Sequence, residues 1–342
     1  MSDAVKSLVD SLNKKFGLGS AFTMSSMPET GITNWIPAGS AVINSAIGRP
    51  GIPQGKVTTV IGPPSAGKTT LVTHIMTECQ KMGGVVVYIN AERSYDPERA
   101  KRIGLDIDNV IVVQPETVED AFEITFNTAM SIPKGCKIPY LVAWDTFSAS
   151  PTSAELFGSG DAGKKNIKAG TIDTEVNAHQ GEVAGHSRIV SGQMRRLQGP
   201  MDDKNLTFLV VLQSKEDIGV QWGSGLTYLA KKPWFFYSNV QMEVKRIGNV
   251  TEGDRVVGIR SEVHISKNKV GKPFGKVQVD CLFHNGFDNF GPLLELAAQK
   301  GIIKVKGGGW MEISREGKPT KNFLKKDWQD IYKEYNLGEL LK

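Results

Sequence analysis

From Gly62 to Thr70 the chain runs Gly-Pro-Pro-Ser-Ala-Gly-Lys-Thr-Thr, which fits the spacing G-x-x-x-x-G-K-[ST]. These residue types in this order suit a polyphosphate. Several negative charges have to be gripped without a covalent bond. That takes backbone N–H groups converging at a helix N-terminus, glycines that let the backbone come close, one lysine and one hydroxyl. Pro63 and Pro64 have no N–H to give, so donation falls on Ser65, Ala66, Gly67, Lys68 and Thr69, with Thr70 following in the helix. Lys68 is placed to reach the β and γ phosphates and Thr69 to hold Mg2+. An ordinary glycine turn can match the same pattern, and the flanks decide between the two. Lys56 to Ile61 is a β-branched strand, while Leu71, Val72, Ile75, Met76 and Cys79 form one helical face.

The elements around this loop repeat its strand-then-helix order. Val85 to Ile89, Ile111 to Val113, Tyr140 to Trp144 and Leu206 to Leu212 are short apolar runs of buried-strand type, separated by helical segments such as Val118 to Met130. Such alternation predicts an α/β fold with a mostly parallel sheet covered by helices. Ligands in these sheets bind at the carboxyl ends of the strands, so the residues just beyond each run carry the chemistry. Asp145 is placed to hold the Mg2+ of a bound nucleotide, or else to make a turn. Glu92 can orient an attacking water, or else sit solvated at a helix start. Gln213 can sense the γ-phosphate by hydrogen bond.

Two stretches break the pattern. Pro151 to Glu182, a loop to about residue 185, is rich in Gly, Ser and Ala and contains Lys164, Lys165 and Lys168. An irregular segment of that length within a domain is functional or disordered. Residues 214–232 interleave Lys215, Lys231 and Lys232 with Trp222 and Tyr228, a composition that fits either a single-stranded nucleic-acid groove or a surface loop over an apolar cluster. Between them Arg188, Arg195 and Arg196 make a basic helix whose buried side is Ile189, Met194 and Leu197.

With 342 residues the chain has length for about two domains. No apolar run approaches the roughly 18 residues of a membrane helix. Met1 to Phe16 is amphipathic rather than a signal peptide, so no membrane partner and a cytoplasmic location are expected. Its three cysteines are widely spaced, which points to neither a disulfide framework nor a zinc site. A net charge of +5 is too small to prove a nucleic-acid partner. Val240 to Lys245, Val256 to Ile265 and Lys276 to Phe283 extend the sheet with hairpin-like strands, and Pro292 to Gln299 starts a helix. A mildly basic terminal domain follows around Trp310, Phe323, Leu324, Trp328 and Tyr332.

Together these residues resemble the bacterial RecA recombinase family, from about Leu12 to about Trp310. The resemblance is carried by Lys15-Phe16-Gly17 with Gly19-Ser20, Gly62 to Leu71, Asn90 to Arg93 with Asp96-Pro97, Gly104 to Asn109, Gln114-Pro115, Ser191 to Leu197, Arg246 to Gly248 and Lys267 to Lys269. It implies a RecA-like P-loop ATPase core over 37–287, an N-terminal helix and oligomerisation strand over 1–36, and a small C-terminal α/β domain over 288–342. It also implies an ATP- and Mg2+-dependent enzyme, bacterial or phage-encoded. Such an enzyme forms a helical homo-oligomeric filament on single-stranded DNA and exchanges strands with homologous duplex DNA, with single-strand-binding and loader proteins as candidate partners. On the family pattern Glu92 activates water and Gln213 relays the γ-phosphate to the second DNA loop. Arg99 falls at the nucleobase, Asp96 is a further candidate nucleotide contact, and Lys267 and Lys269 fall at a neighbour's ATP. Ser191, Arg195, Lys215 and Ile218 match the family's DNA-facing positions, Arg188, Lys231 and Lys232 are further candidate DNA contacts, and Ala21 to Met24 matches the strand that adds to a neighbour's sheet.

The sequence departs from the family pattern in several places. The first DNA loop is longer than usual, and Arg99 replaces an aromatic residue, so a guanidinium is expected to stack on the base. Ala230 to Pro233 replaces a glycine pair, and Glu216 puts a negative charge by the phosphate path. The family's acidic tail is not seen, from which a weaker magnesium dependence of duplex capture is expected. The alternatives are a ring helicase on the same core, against which Ala21 to Met24 and the Lys267–Lys269 pair argue, and a nucleotide-gated DNA-binding scaffold, against which Glu92 argues.

Overall fold

The computed structural model describes residues 2–17, 20–26, 34–157, 178–216, 226–288 and 290–337, which fall in two compact units, Met1–Thr33 and Asn34–Lys342. In the first unit, Val5, Leu8, Leu12 and Phe16 recur at helical spacing along α1 (Asp3–Phe16), with Asp3 in its first turn and Lys14 and Lys15 in its last complementing the dipole. Gly17 ends the helix at a φ of 104°. Asn13 then turns the chain back, donating from Nδ2 to the Ala21 carbonyl at 3.0 Å and accepting the Ala21 N–H at 2.9 Å. No residue of α1 is buried, and Leu8 and Phe16 are 60% and 64% exposed. The segment Ala21 to Met24, expected as a strand, is coil leading into a turn. A strand's hydrogen bonds are made to a neighbouring strand, so an extended segment without one has no ladder to join.

The second unit opens with β1 (Trp35–Ile36), α2 (Ala41–Ile47) and β2 (Ile52–Pro53), the two strands pairing antiparallel. Strands and helices then alternate: β3 (Val57–Gly62), α3 (Lys68–Lys81), β4 (Val85–Asn90), α4 (Pro97–Ile103), β5 (Val110–Val113), α5 (Val118–Ser131) and β6 (Tyr140–Asp145). Next come α6 (Ser153–Phe157), α7 (Ala178–Lys204), β7 (Leu206–Glu216), β8 (Leu226–Tyr228) and α8 (Lys231–Tyr237). Three long strands and one short one follow, β9 (Val240–Glu252), β10 (Arg255–Asn268), β11 (Lys276–Leu282) and β12 (Gly286–Asp288). The order of the central sheet is β12-β11-β10-β9-β3-β7-β6-β4-β5, with β8 attached to β7. From β9 to β5 every pairing is parallel, while β9 to β12 are joined antiparallel. The expected α/β architecture is met, hairpin extension included.

Successive side chains of a strand point to opposite faces, and here each face has its own core. In β6, Leu141 and Ala143 join α3 and α2 on one side, whereas Val142 and Trp144 join α5, α7 and α8 on the other. The same alternation puts Val86 and Tyr88 of β4 on the α3 side with Asp145. All five apolar residues predicted for α3, Leu71, Val72, Ile75, Met76 and Cys79, are fully buried. Three readings of local structure need correcting, the first being that the irregular loop expected over 151–185 holds α6 (Ser153–Phe157) and the first turns of α7 from Ala178. β5 is an edge strand, with Ile111 and Val112 53% and 52% exposed, so its apolar run did not mark a buried strand. Residues 214–232 are not wholly irregular either, because Ser214, Lys215 and Glu216 pair with Tyr228, Thr227 and Leu226 as a hairpin.

Beyond the sheet, α9 (Phe290–Gln299) leads to a small antiparallel sheet of β13 (Ile303–Val305), β14 (Trp310–Arg315) and β15 (Lys318–Leu324), closed by α10 (Trp328–Glu334). Phe323 and Trp328 stack in its core with ring centroids 5.9 Å apart. Among the described residues no helix is long and apolar enough to cross a membrane.

Candidate nucleotide-binding site

The loop between β3 and α3 has the backbone that its composition predicts. Ser65 and Gly67 take φ of 58° and 96°, and Gly67 caps α3 without a side-chain hydrogen bond, so the first N–H groups of the helix are left for a ligand. The floor of the loop is pinned where Ser261 Oγ of β10 donates to the Ala66 carbonyl at 2.9 Å. Gly62 has to be glycine, since a Cβ there would come within 2.2 Å of the Val244 carbonyl oxygen. Ala66 and Thr70 are buried. Lys68, 7% exposed, folds back to donate from Nζ to the Pro63 carbonyl at 2.7 Å. Burial lowers its pKa, and the carboxylates of Asp145 and Glu92 act the other way.

The other strand ends converge on this lysine. Thr69 Oγ1 donates to Asp145 Oδ2 at 2.7 Å. Burial raises the Asp145 pKa and the Glu92 charge adds to that, while the Thr69 hydrogen bond and Lys68 oppose it. Gln213 Nε2 donates to Glu92 Oε1 at 2.5 Å, and Ser94 Oγ reaches Oε2 at 3.4 Å. A cleft runs from Thr69, Asp145 and Glu92 to Tyr95, Asp96 and Arg99. Asp96 caps α4 by accepting the Arg99 N–H at 3.0 Å. The Arg99 guanidinium is held on the far wall, donating from Nε to the Phe283 carbonyl at 3.1 Å and approaching Cys281 Sγ at 3.7 Å.

Phe283, half exposed beside Arg99, was missed from the sequence, as were Tyr88 and Tyr95. A strand-end aromatic has no spacing rule, and the crossing of α4 over the β11–β12 turn brings the Phe283 carbonyl to Arg99, although Phe283 is not among the residues that line the cleft. Lys267 and Lys269 do not line this cleft. Antiparallel pairing puts Lys267 opposite Gln241, which is level with Thr59, toward the amino end of β3. There Lys267 donates to the Phe235 and Phe236 carbonyls with its ammonium 4.5 Å above the Phe235 ring, and Lys269 reaches the Phe236 carbonyl at 3.1 Å. Burial, with Lys269 next to it, lowers the Lys267 pKa to about 8.

Arg188, Ser191 and Arg195 share one face of α7, with both arginines exposed and Met194 and Leu197 buried behind. Among the described residues neither arginine has an ion-pair partner. Arg196 differs, because it pairs with Glu123 at 2.6 Å and lies 3.7 Å over the Phe126 ring. Lys215 and Lys232 are exposed, and Lys231 Nζ caps the Leu226 carbonyl at 2.5 Å. Ile218, Trp222 and residues 158–177 lie outside the described residues, as does the side chain of Glu216.

Residues 3–288 match the family model described as the RecA N-terminal domain. Among curated proteins, the chain is similar to Protein RecA of Ruminococcus albus, at 34% identity over 90% of this chain and 71% of that one. It is also similar to Protein RecA of Chlorobaculum parvum, at 33% over 93% and 86%, and of Clostridium tetani, at 31% over 96% and 88%. On this match, with the loop, the strand-end acids and the sheet order in place, the chain belongs to the RecA family.

Proposed function

We propose that the cleft takes ATP with Mg2+, and that loaded protomers assemble as a helical filament on single-stranded DNA and exchange it with a homologous duplex. Family membership makes the chain a DNA-binding, oligomerising recombinase with DNA-dependent ATPase activity, and leaves the ring-helicase and scaffold alternatives without support. The observation that carries the site is the Thr69–Asp145 contact of 2.7 Å beside the buried Lys68. A hydroxyl and a carboxylate are hard oxygen donors, and phosphate oxygens and waters complete the shell that Mg2+ prefers. Bound there, Mg2+ would neutralise charge gathering on the phosphoryl oxygens.

Lys68 would leave the Pro63 carbonyl for the β and γ phosphates, and the free N–H groups from Ser65 to Thr69 would close around them. Glu92 would orient the attacking water and take its proton. Gln213 would hand the state of the γ-phosphate to Lys215, two residues along the same strand. Asp96, Arg99 and Phe283 would meet the base. Arg188, Ser191, Arg195, Lys215, Lys231 and Lys232 would face DNA, with Ile218 among its bases.

Lys267 and Lys269 sit too far along the sheet to serve their own loop, which supports a role at the nucleotide of the next protomer. The exposed edge of β5 is a site where Ala21 to Met24 of a neighbour could add as a strand. Residues 1–36, 37–287 and 288–342 would then be the linking arm, the ATPase core and a terminal domain. Phosphate release measured with single-stranded DNA tests the site. Lys68→Ala should lose nucleotide binding, whereas Glu92→Gln should bind ATP and assemble but hydrolyse about a hundredfold or more slowly. Parent-like turnover by Glu92→Gln would remove the assigned role.

A further inference from the structure

Two tyrosines stand behind the metal-holding pair, and no motif accounts for either. Tyr88, 2% exposed on β4, donates from its hydroxyl to Asp145 Oδ2 at 3.3 Å, the oxygen that Thr69 Oγ1 also reaches at 2.7 Å. Asp145 lines the cleft, and its Oδ1 accepts no hydrogen bond among the described residues. The Tyr88 ring lies against the Tyr95 ring, with centroids 4.6 Å apart and planes at 48°. Tyr95 Oη meets Thr73 Oγ1 at 3.2 Å, and Thr73 Oγ1 donates to the Thr69 carbonyl at 2.9 Å. The Thr73 hydrogen is thereby used, so Tyr95 is the donor to Thr73.

Both hydroxyls of one tilted ring pair thus converge on Thr69. One acts through its side chain by way of Asp145, the other through its carbonyl by way of Thr73. A phenylalanine at 88 would fill the same buried space and keep the ring contact with Tyr95, so the hydroxyl has no packing role. What it does is fix the carboxylate. With two donors on Oδ2, the group cannot turn about its bond to Cβ without breaking a hydrogen bond in a buried position. Oδ1 is then left without a donor among the described residues, and Thr69, its hydrogen directed at Asp145, keeps its lone pairs for a cation.

We propose that Tyr88, backed by Tyr95 and Thr73, is a positioning residue that pre-orients Thr69 and Asp145 for the divalent cation of the bound nucleotide. This rests on the nucleotide reading of the cleft and adds to it which residues set cation affinity.

Fluorescent ATP analogue binding, titrated with Mg2+ and repeated with metal chelated, tests the proposal, and Mn2+ resonance reads cation occupancy without turnover. In Tyr88→Phe the half-saturating cation concentration should rise about tenfold, as expected for one hydrogen bond to a charged acceptor, while metal-free nucleotide affinity stays within about twofold. Thr73→Val, a near-isostere, should shift cation dependence the same way by about threefold. Parent-like cation dependence in Tyr88→Phe overturns the proposal. So does an equal loss of nucleotide affinity with and without metal, which would make the hydroxyl a general structural contact. A parent chain that bound no nucleotide would overturn the nucleotide reading itself, and the positioning role with it.

Discussion

Gln213 and Glu92 are joined by a 2.5 Å hydrogen bond that spans β6, tying the carboxyl end of β7 to that of β4. Gln213 is also two residues from Lys215, which lies on the β7–β8 hairpin. One amide therefore has at its tip the carboxylate proposed to activate water and, down its own strand, the hairpin proposed to meet DNA. A nucleotide that drew Gln213 away would at once free Glu92 and shift the hairpin. Coupling of this kind is reciprocal, so DNA must favour ATP as much as ATP favours DNA. In Gln213→Ala, ATP affinity should stay near that of the parent. The fold-increase in DNA affinity that ATP confers should collapse toward one, as read by fluorescence anisotropy with and without nucleotide. A retained increase would place the relay elsewhere.

Arg195 and Lys215 are exposed cations on two different elements, and on a phosphate path each should release counterions on binding. Removing either charge should flatten the plot of log affinity against log salt by roughly one unit. An unchanged slope would take that side chain off the path.

His74 on α3 accepts the Phe287 N–H at 2.9 Å and stacks on the Phe287 ring at 4.6 Å, which requires a neutral ring nitrogen. Burial lowers its pKa to about 4, with Lys81 and Arg99 adding to the effect. A histidine depressed in the folded state is protonated more readily when unfolded, so its contribution is whole above about pH 6.5 and is lost as pH falls toward 4. The loss is on the order of 3 kcal/mol for a shift of this size. Thermal unfolding of the parent should weaken across that window more steeply than that of His74→Gln. Parallel curves would contradict this.

Lys267, with a pKa lowered to about 8, becomes neutral in the folded chain well before an open lysine at 10.5 would. If its cation meets a neighbour's phosphate, nucleotide-dependent assembly should weaken as pH rises through about 8. Lys267→Arg, which stays charged, should flatten that dependence in light scattering. A parent insensitive to pH from roughly one unit below to one unit above that pKa of about 8 would remove Lys267 from the interface.

Much of the site was legible because its geometry is local. Gly62 to Thr70 spells its own turn, and the strand-end positions of Glu92, Asp145 and Gln213 follow from the rule that parallel strands deliver their carboxyl ends together. What failed to show was set by elements distant in sequence. Tyr88 looked like one more apolar strand residue until β6 brought Asp145 alongside it. Phe283 needed α4 to cross the β11–β12 turn. The exposed face of β5 could not be told from a buried strand, since a four-residue apolar run says nothing about how many neighbours it has. Ala21 to Met24 carries a strand's composition but gains a ladder only from another strand.

The most direct measurement is electron microscopy of the chain with single-stranded DNA, with and without a slowly hydrolysed ATP analogue. If ATP at the junction of adjacent protomers is what joins them, regular helical filaments should form with both ligands and disappear when the analogue is left out or Lys68→Ala is used. Filaments that form equally well without nucleotide, or dispersed protomers with both ligands present, would contradict that account.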